Sequence, residues 1–215
     1  MTDNMSTIQN NTVTLIGEIV SGFTYSHEVF GEGFYTVDLS VKRLSEQVDI
    51  IPLTISERLI DKNEISMGDT IEVIGQFRSY NQSGPERKRL ILSVFVREVN
   101  FLEEEFTDYT KTNLITLNGF LCKPPVYRKT PLGREIADLL LAVNRPYAKS
   151  DYIPCITWGR NAKYASGLFV GTRLEIYGRI QSREYIKKLS DTKEIKRTAY
   201  EVSVSKMEVP EDDKR

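Results

Sequence analysis

A shift of 102 residues lays this chain over itself. It brings DIIPLTISER at 49–58 onto DYIPCITWGR at 151–160, with Asp, Ile, Pro and Arg in common register. The same shift pairs Leu15 with Leu117, Gly17 with Gly119, Tyr25 with Tyr127, Val41 with Val143 and Arg43 with Arg145. One inserted residue later, Gly68, Glu72, Gly75 and Ser79 fall on Gly171, Glu175, Gly178 and Ser182; after seven more, Ser93, Val94 and Glu98 fall on Ser203, Val204 and Glu208. Chance matches would scatter over many shifts, so the chain is one unit of about 95 residues written twice, with a period too long for a solenoid. Whatever the unit folds into must be built two times. Positions that differ inside the common frame then report what each copy does.

Each copy has strand chemistry. TVTLIGEIV and LITLNGFLC are β-branched and apolar runs interrupted by a glycine, which inside a strand marks a bulge or sharp bend. FYTVDLSVKR and EIADLLLAVNR follow, then the shared frame, then a short helical stretch near SERLIDKNEI or RNAKYASGLF, then two more strands. Three strands, a helix and two strands is the order of the OB-fold, a five-stranded partly open barrel. The expected fold is thus all-β, two tandem OB-folds, each with a short helix between strands three and four. A pair of small sandwiches is the runner-up, and would not need that helix. The expected boundaries are a first barrel at 1–103, a polar linker at 104–111, a second barrel at 112–209 and a short tail at 210–215.

Composition narrows the class. No apolar run approaches the roughly 20 residues that span a bilayer, and the first ten residues lack the basic-then-apolar order of a secretory signal, so a cytoplasmic location is expected. Cys122 and Cys155 lack a CxxC spacing, which argues against a thiolate zinc site, and they read as free buried thiols. The one histidine, His27, reads as a surface loop residue. The net charge of −1 hides an asymmetry: residues 1–110 hold 9 Lys+Arg against 18 Asp+Glu, residues 111–209 the reverse. Halves of opposite sign suggest different jobs.

The basic half carries the informative rings. Side chains alternate along a strand, so Tyr152, Pro154, Ile156 and Trp158 share one face and Ile153, Cys155 and Thr157 the other. One face must be core, and Ile153 with Cys155 suits it. Rings in a strand often complete a core, but the first copy places Ser45, Ile50 and Ser56 where the second has Tyr147, Tyr152 and Trp158. A core position does not readily exchange a ring for a hydroxyl, since lost volume and a buried polar group both destabilise. Exposed rings beside Arg145 and Arg160 describe a platform for nucleobases, each stack contributing about 1–3 kcal/mol whatever the base. Tyr185 lies in REYIKK at the end of strand four, and the hairpin after it adds Lys187, Lys188, Lys193, Lys196 and Arg197, a candidate phosphate track. In the first copy Phe77, Arg78, Tyr80, Arg87, Lys88 and Arg89 could keep a weaker contact.

At these residues the second copy resembles the bacterial single-stranded DNA-binding protein family. The resemblance rests on NLITLNGFLCKPPVYRKTPLGREIADLLLAVNR, on YIPCITWGRNA and on VGTRLEIYGRIQSREY, in that order, and covers most of 112–209. It implies base-stacking roles for Tyr147, Tyr152, Trp158 and Tyr185, and basic roles at or near Arg160 and Arg183. It implies single-stranded DNA as partner, no cofactor, no catalysis, and a homodimer presenting four OB-folds. Residues 12–101 resemble the same fold more weakly. The tail VPEDDKR departs from the acidic, apolar-tipped tail common in that family, which puts partner recruitment through it in doubt. Two other functions compete: a tandem-barrel interaction subunit of a replication or mobile-element complex, which the acidic half favours, and a single-stranded RNA binder, since stacking does not itself read the 2′-OH. An enzyme is the least supported reading, because GxxxxGK[ST], GxSxG and HExxH are all missing.

Overall fold

A computed structural model of the chain describes residues 10–82, 89–102, 108–190 and 193–210; the side chains of 82, 89, 187–190 and 193 are outside the description. The elements run β1 (Asn11–Ile19), β2 (Thr24–Val29), β3 (Glu32–Lys42), β4 (Val48–Ser56), α1 (Glu57–Asn63), β5 (Thr70–Gln82) and β6 (Arg89–Phe101). The second copy repeats them as β7 (Asn113–Leu121), β8 (Val126–Lys129), β9 (Glu135–Arg145), β10 (Lys149–Trp158), α2 (Gly159–Ala165), β11 (Arg173–Ser190) and β12 (Lys193–Glu208).

In each copy five strands close on themselves. The hydrogen-bonded order β3-β4-β6-β5-β1 is completed by β1 pairing back to β3, and β9-β10-β12-β11-β7 by β7 pairing back to β9. Closure covers most of the edge that an open sheet would present and leaves Asn11–Leu15 of β1 free on one side within its own barrel. It depends on β1 changing partners along its length, from β5 at Val13–Glu18 to β3 at Glu18 and Ile19. Gly17 sits at that change: a Cβ there would lie 2.3 Å from the Ser40 carbonyl oxygen, so only a glycine lets the two backbones approach. The strands alternate as the pleat requires. Val13 and Leu15 point inward with Leu39, Ile51, Val73 and Val94 in one barrel, and Leu117 with Leu141, Ile153, Ile176 and Val202 in the other.

The barrels follow the expected five-strand order, with an addition. β2 and β8 are short extra strands that pair only with β3 and β9 and extend each barrel as an outer hairpin. Both are exposed throughout, so they have no buried face to reveal them as strands in the sequence. His27 therefore lies in a strand, not a loop, and its ring stacks on Phe34 at 5.1 Å with 12° between planes. The helices are two turns each. Ser56 Oγ accepts from Arg58 N–H to cap α1, whereas α2 follows Trp158 without a side-chain cap and packs through Ala162 and Ala165.

The two barrels are joined edge to edge. β1 and β7 pair antiparallel, with Val13 opposite Ile115, its own counterpart under the shift, so that all 12 strands form one sheet about a local pseudo-two-fold axis. The hydrogen bonds obey the same symmetry. Asn11 exchanges bonds with the Phe77 main chain as Asn113 does with Ile180, and Asn10 Nδ2 bonds the Asn144 carbonyl while Thr112 Oγ1 bonds that of Lys42. Residue 103 and, of the expected linker, 104–107 lie outside the described residues, and Asp108 to Lys111 form a turn. Of the tail, only Pro210 is described. Both cysteines are free, Cys155 buried and Cys122 partly so, and burial raises the pKa of each thiol. Among the described residues no helix is long and apolar enough to cross a membrane.

Candidate nucleic-acid interface

β10 is held in the barrel by β9, with Tyr152 opposite Ala142 and Pro154 opposite Leu140, and its alternation turns Asp151, Ile153, Cys155 and Thr157 inward. Tyr152 and Trp158 stand on the outer face, 44% and 40% exposed; six residues of strand put about 20 Å between them. Ile156, expected on that face, is instead buried at 6% exposure, in the part of β10 that runs beside β12. Tyr147 is 94% exposed at the tip of the β9–β10 turn. Its φ is +63°, followed by +53° at Ala148, a left-handed pair that side chains with a Cβ seldom adopt. The exposed ring thus sits on a backbone conformation that costs energy for a residue with a Cβ.

Tyr185, 38% exposed, is carried differently. It follows Ser182, whose N–H donates to Asp49 Oδ1 of the first copy at 2.8 Å, so the β11–β12 arm reaches across the pseudo-two-fold axis. The first copy returns the contact: Ser79 on β5 donates its N–H to Asp151 Oδ1 at 2.7 Å. The sheet thus places Tyr152, Trp158 and Tyr147 along one strand and its turn, and Tyr185 on an arm lying against the other barrel.

The cations divide in a similar way. Arg160 stands exposed in the first turn of α2 directly after Trp158. Arg183 is exposed two residues before Tyr185, its Nε 3.9 Å from Glu201. Arg145 is half-buried and directs Nη1 to Asp151 at 3.4 Å, so part of its charge serves the contact between barrels. The main chains of Lys187 and Lys188 pair with Ile195 and Glu194, but their side chains lie outside the described residues, as does that of Lys193. Lys196 is paired with Glu184 at 2.6 Å. Two acids on the outer face are partnered, Asp138 by Arg128 at 3.0 Å and Glu201 by Gln181 at 2.7 Å.

The equivalent face of the first copy carries no rings at the aligned positions, where Ser45 and Ile50 are exposed. Ser56, at the position of Trp158, is 6% exposed, since its hydroxyl donates to Glu32 and caps α1. The exchange of serine for tryptophan therefore does not mark a surface position in both copies: the hydroxyl is buried at a helix start, where hydrogen bonds satisfy it. Glu57 Oε1 accepts from Gly33 N–H at 2.9 Å, and Arg58 lies 3.5 Å from Glu32. The rings of this face are spent on one another, Phe34 against Phe95 at 5.6 Å and the Arg78 guanidinium over Phe95 at 4.9 Å. Phe77, a candidate weak contact, is fully buried in the barrel, and Arg78 is half-buried with its pKa lowered by desolvation. Tyr80 is exposed, while Arg87, Lys88 and the Arg89 side chain lie outside the described residues.

Sequence reasoning missed Asp49, Asp151, Ser79 and Ser182, which tie the barrels together. The signal was present: an aspartate repeated inside two apolar strands, each with a repeated arginine six residues before it, is a buried charge with a partner.

Comparison with known proteins bears on the fold and on the second copy. The single-strand binding protein family model matches residues 112–210. The single-stranded DNA-binding protein of Halalkalibacterium halodurans is 38% identical over 80 residues, 34% of this chain and 48% of the relative. Single-stranded DNA-binding protein A of Bacillus subtilis is 39% identical over 80 residues, 34% and 46% of the two chains. This chain thus spans about half the length of the curated relatives it matches. Over its whole length it shares a fold with the wild-type single-stranded DNA binding protein from Thermus aquaticus, at TM-score 0.68 and 23% identity, covering 93% of this chain and 92% of the other. The duplicated chain is a pair of OB-fold barrels, and its second copy, residues 112–210, is similar to the single-strand binding protein family.

Proposed function

We propose that the protein binds single-stranded DNA without regard to sequence, stacking bases on Tyr147, Tyr152, Trp158 and Tyr185, with Arg160, Arg183, Lys187 and Lys188 meeting the phosphates and Arg145 contributing from the edge. The carrying observation is the exposure of all four rings on the basic copy, one of them held in solvent at a left-handed turn. A stacking face tolerates any base because every base has a π-face, and the cations add a salt-dependent term. The first copy, its own rings self-stacked and its groove lined by Glu32 and Glu57, serves as scaffold, not as a second platform. The role is that of a non-catalytic coat on exposed strands during replication, recombination or repair in the cytoplasm. Two chains associate to present four barrels; Leu114 and Phe120, exposed on β7 in the middle of the shared sheet, support such a contact.

Trp158 is the one tryptophan, so its fluorescence reports on the site directly. Oligo-dT should quench it at low salt and release it at high salt, and duplex of the same length should not compete. Equal quenching by duplex, or none by oligo-dT, refutes the reading. Oligo-rU in parallel decides between DNA and RNA, and solution mass measured on the same sample reports the dimer.

A further inference from the structure

We infer that Ser79 of the first copy is a positioning residue for the Tyr152 ring of the second, so that the barrel without the aligned rings holds its neighbour's ring-bearing face in place. The inference rests on the function proposed above. β10 pairs with β12 only at Cys155 and Ile156. Earlier along β10 the β5 arm of the other barrel lies alongside: Tyr152 N–H donates to Ser79 Oγ at 2.7 Å, and Ser79 N–H donates to Asp151 Oδ1 at 2.7 Å. The main-chain donor of the residue that carries the ring is thus satisfied by a hydroxyl from the first copy, 73 residues away in sequence.

The symmetric contact shows that this bond is not a mere by-product of the repeat. Asp49 takes Arg43 through two nitrogens, Arg179 Nη1 at 3.5 Å and the Ser182 N–H. There the Ser182 hydroxyl turns back to Asp49 Oδ1 at 3.3 Å instead of accepting from the Ile50 main chain. On the Tyr152 side, Asp151 is hydrogen-bonded by one guanidinium, Arg145 at 3.4 Å, the Arg78 charge acts on it through space, and its Oδ2 lacks a hydrogen-bond partner among the described residues. Arginine anchoring is weaker where the ring needs it, and Ser79 bonds both Asp151 and Tyr152. Ser79 and Asp151 are both buried, so water does not replace a lost hydroxyl without the strand moving.

The test is a double-mutant cycle on the full chain, read by anisotropy of labelled oligo-dT, with melting curves recorded for every variant. Tyr152→Ala should weaken binding about 5- to 150-fold. Ser79→Ala should weaken it about three- to tenfold, and should add nothing in the Tyr152→Ala background, because the ring it positions is gone. Ser79→Thr, which keeps the hydroxyl, should bind as the native chain does; Ser79→Val, of the same shape, should bind as Ser79→Ala does. If Ser79→Ala leaves affinity unchanged while Tyr152→Ala lowers it, the inference fails and the stacking function stands. An equal loss from Ser79→Ala in both backgrounds also overturns it, since the serine would then act through general stability. If Tyr152→Ala is itself neutral, the platform fails at this ring, and the positioning role falls with it.

Discussion

Replacing Trp158 by alanine separates two quantities that are easily confused. The ring is 40% exposed, so part of it packs on the barrel beside its cross-strand partner Ile136 and part is free to meet a base. Truncating a fully buried tryptophan costs about 3–5 kcal/mol, so with two-fifths of this one already in solvent the stability loss should be about 2–3 kcal/mol. A domain with stability on the order of 5–15 kcal/mol stays folded through that loss. Affinity should fall independently by the value of one stack, about 1–3 kcal/mol or roughly 5- to 150-fold. Stacking releases no counterions, so the slope of log affinity against log salt should not change. The assay is anisotropy of labelled oligo-dT at several salt concentrations, with a thermal melt of the same preparation. Trp158→Phe, which keeps a ring, should recover most of the affinity. A Trp158→Ala chain that melts lower yet binds as tightly as the native one would refute the reasoning, because the ring would then be structural only.

The remaining predictions use the same assays. Arg183→Ala should reduce the salt slope by about 0.7, the contribution of one phosphate contact on a single strand, since among the described residues this guanidinium is held by a 3.9 Å approach to Glu201. Gly17→Ala should destabilise by about 1–3 kcal/mol or more, seen as a lowered Tm, because the new Cβ would meet the Ser40 carbonyl at 2.3 Å. Asp151 has its pKa raised by burial, against the opposing pull of the Ser79 N–H and Arg145. A carboxyl raised in the folded state binds its proton more tightly there, so its contribution to stability is greatest below the unfolded value of about 3.9 and is lost as pH rises through the folded value. Asp151→Asn should therefore gain on the native chain as pH climbs through that window; stability differences from denaturant melts at pH 3 to 7 check the sign.

The repeat, the closed barrels and the outward face of β10 were legible because each leaves a periodic mark: a shift of 102 residues, apolar alternation, and glycines where strands bend. β2 and β8 were not, since strands exposed on both sides carry no alternation, and for the same reason His27 read as loop. Phe77 was misplaced by its nearness to basic residues, although its step of four from the buried Val73 already assigned it inward. Ser56 shows the limit of comparing copies position by position. A buried hydroxyl satisfied by a helix start looks the same in sequence as a surface one, and the rings on the first copy's face, Phe34 and Phe95, come from neighbouring strands instead of from the aligned position. The side-chain hydrogen bonds between barrels span 70 to 134 residues, and local pattern cannot reveal which partner a buried aspartate finds 72 or 133 residues away.

The strand that joins the barrels also sets a timetable for their assembly. At a synthesis rate of about 5–20 residues per second, roughly 5 to 20 seconds separate β1 leaving the ribosome from β7, its partner across the joint. The first barrel is complete only when β6 is out, about 20 residues or roughly 1 to 4 seconds before the end of β7; it then carries one bare β edge, with the Asp49 carboxylate still short of the Arg179 and Ser182 that will meet it. Nascent chains crowded on one message could pair through that edge with each other, and the charge repulsion of an acidic first half opposes such pairing until the second half arrives to claim it.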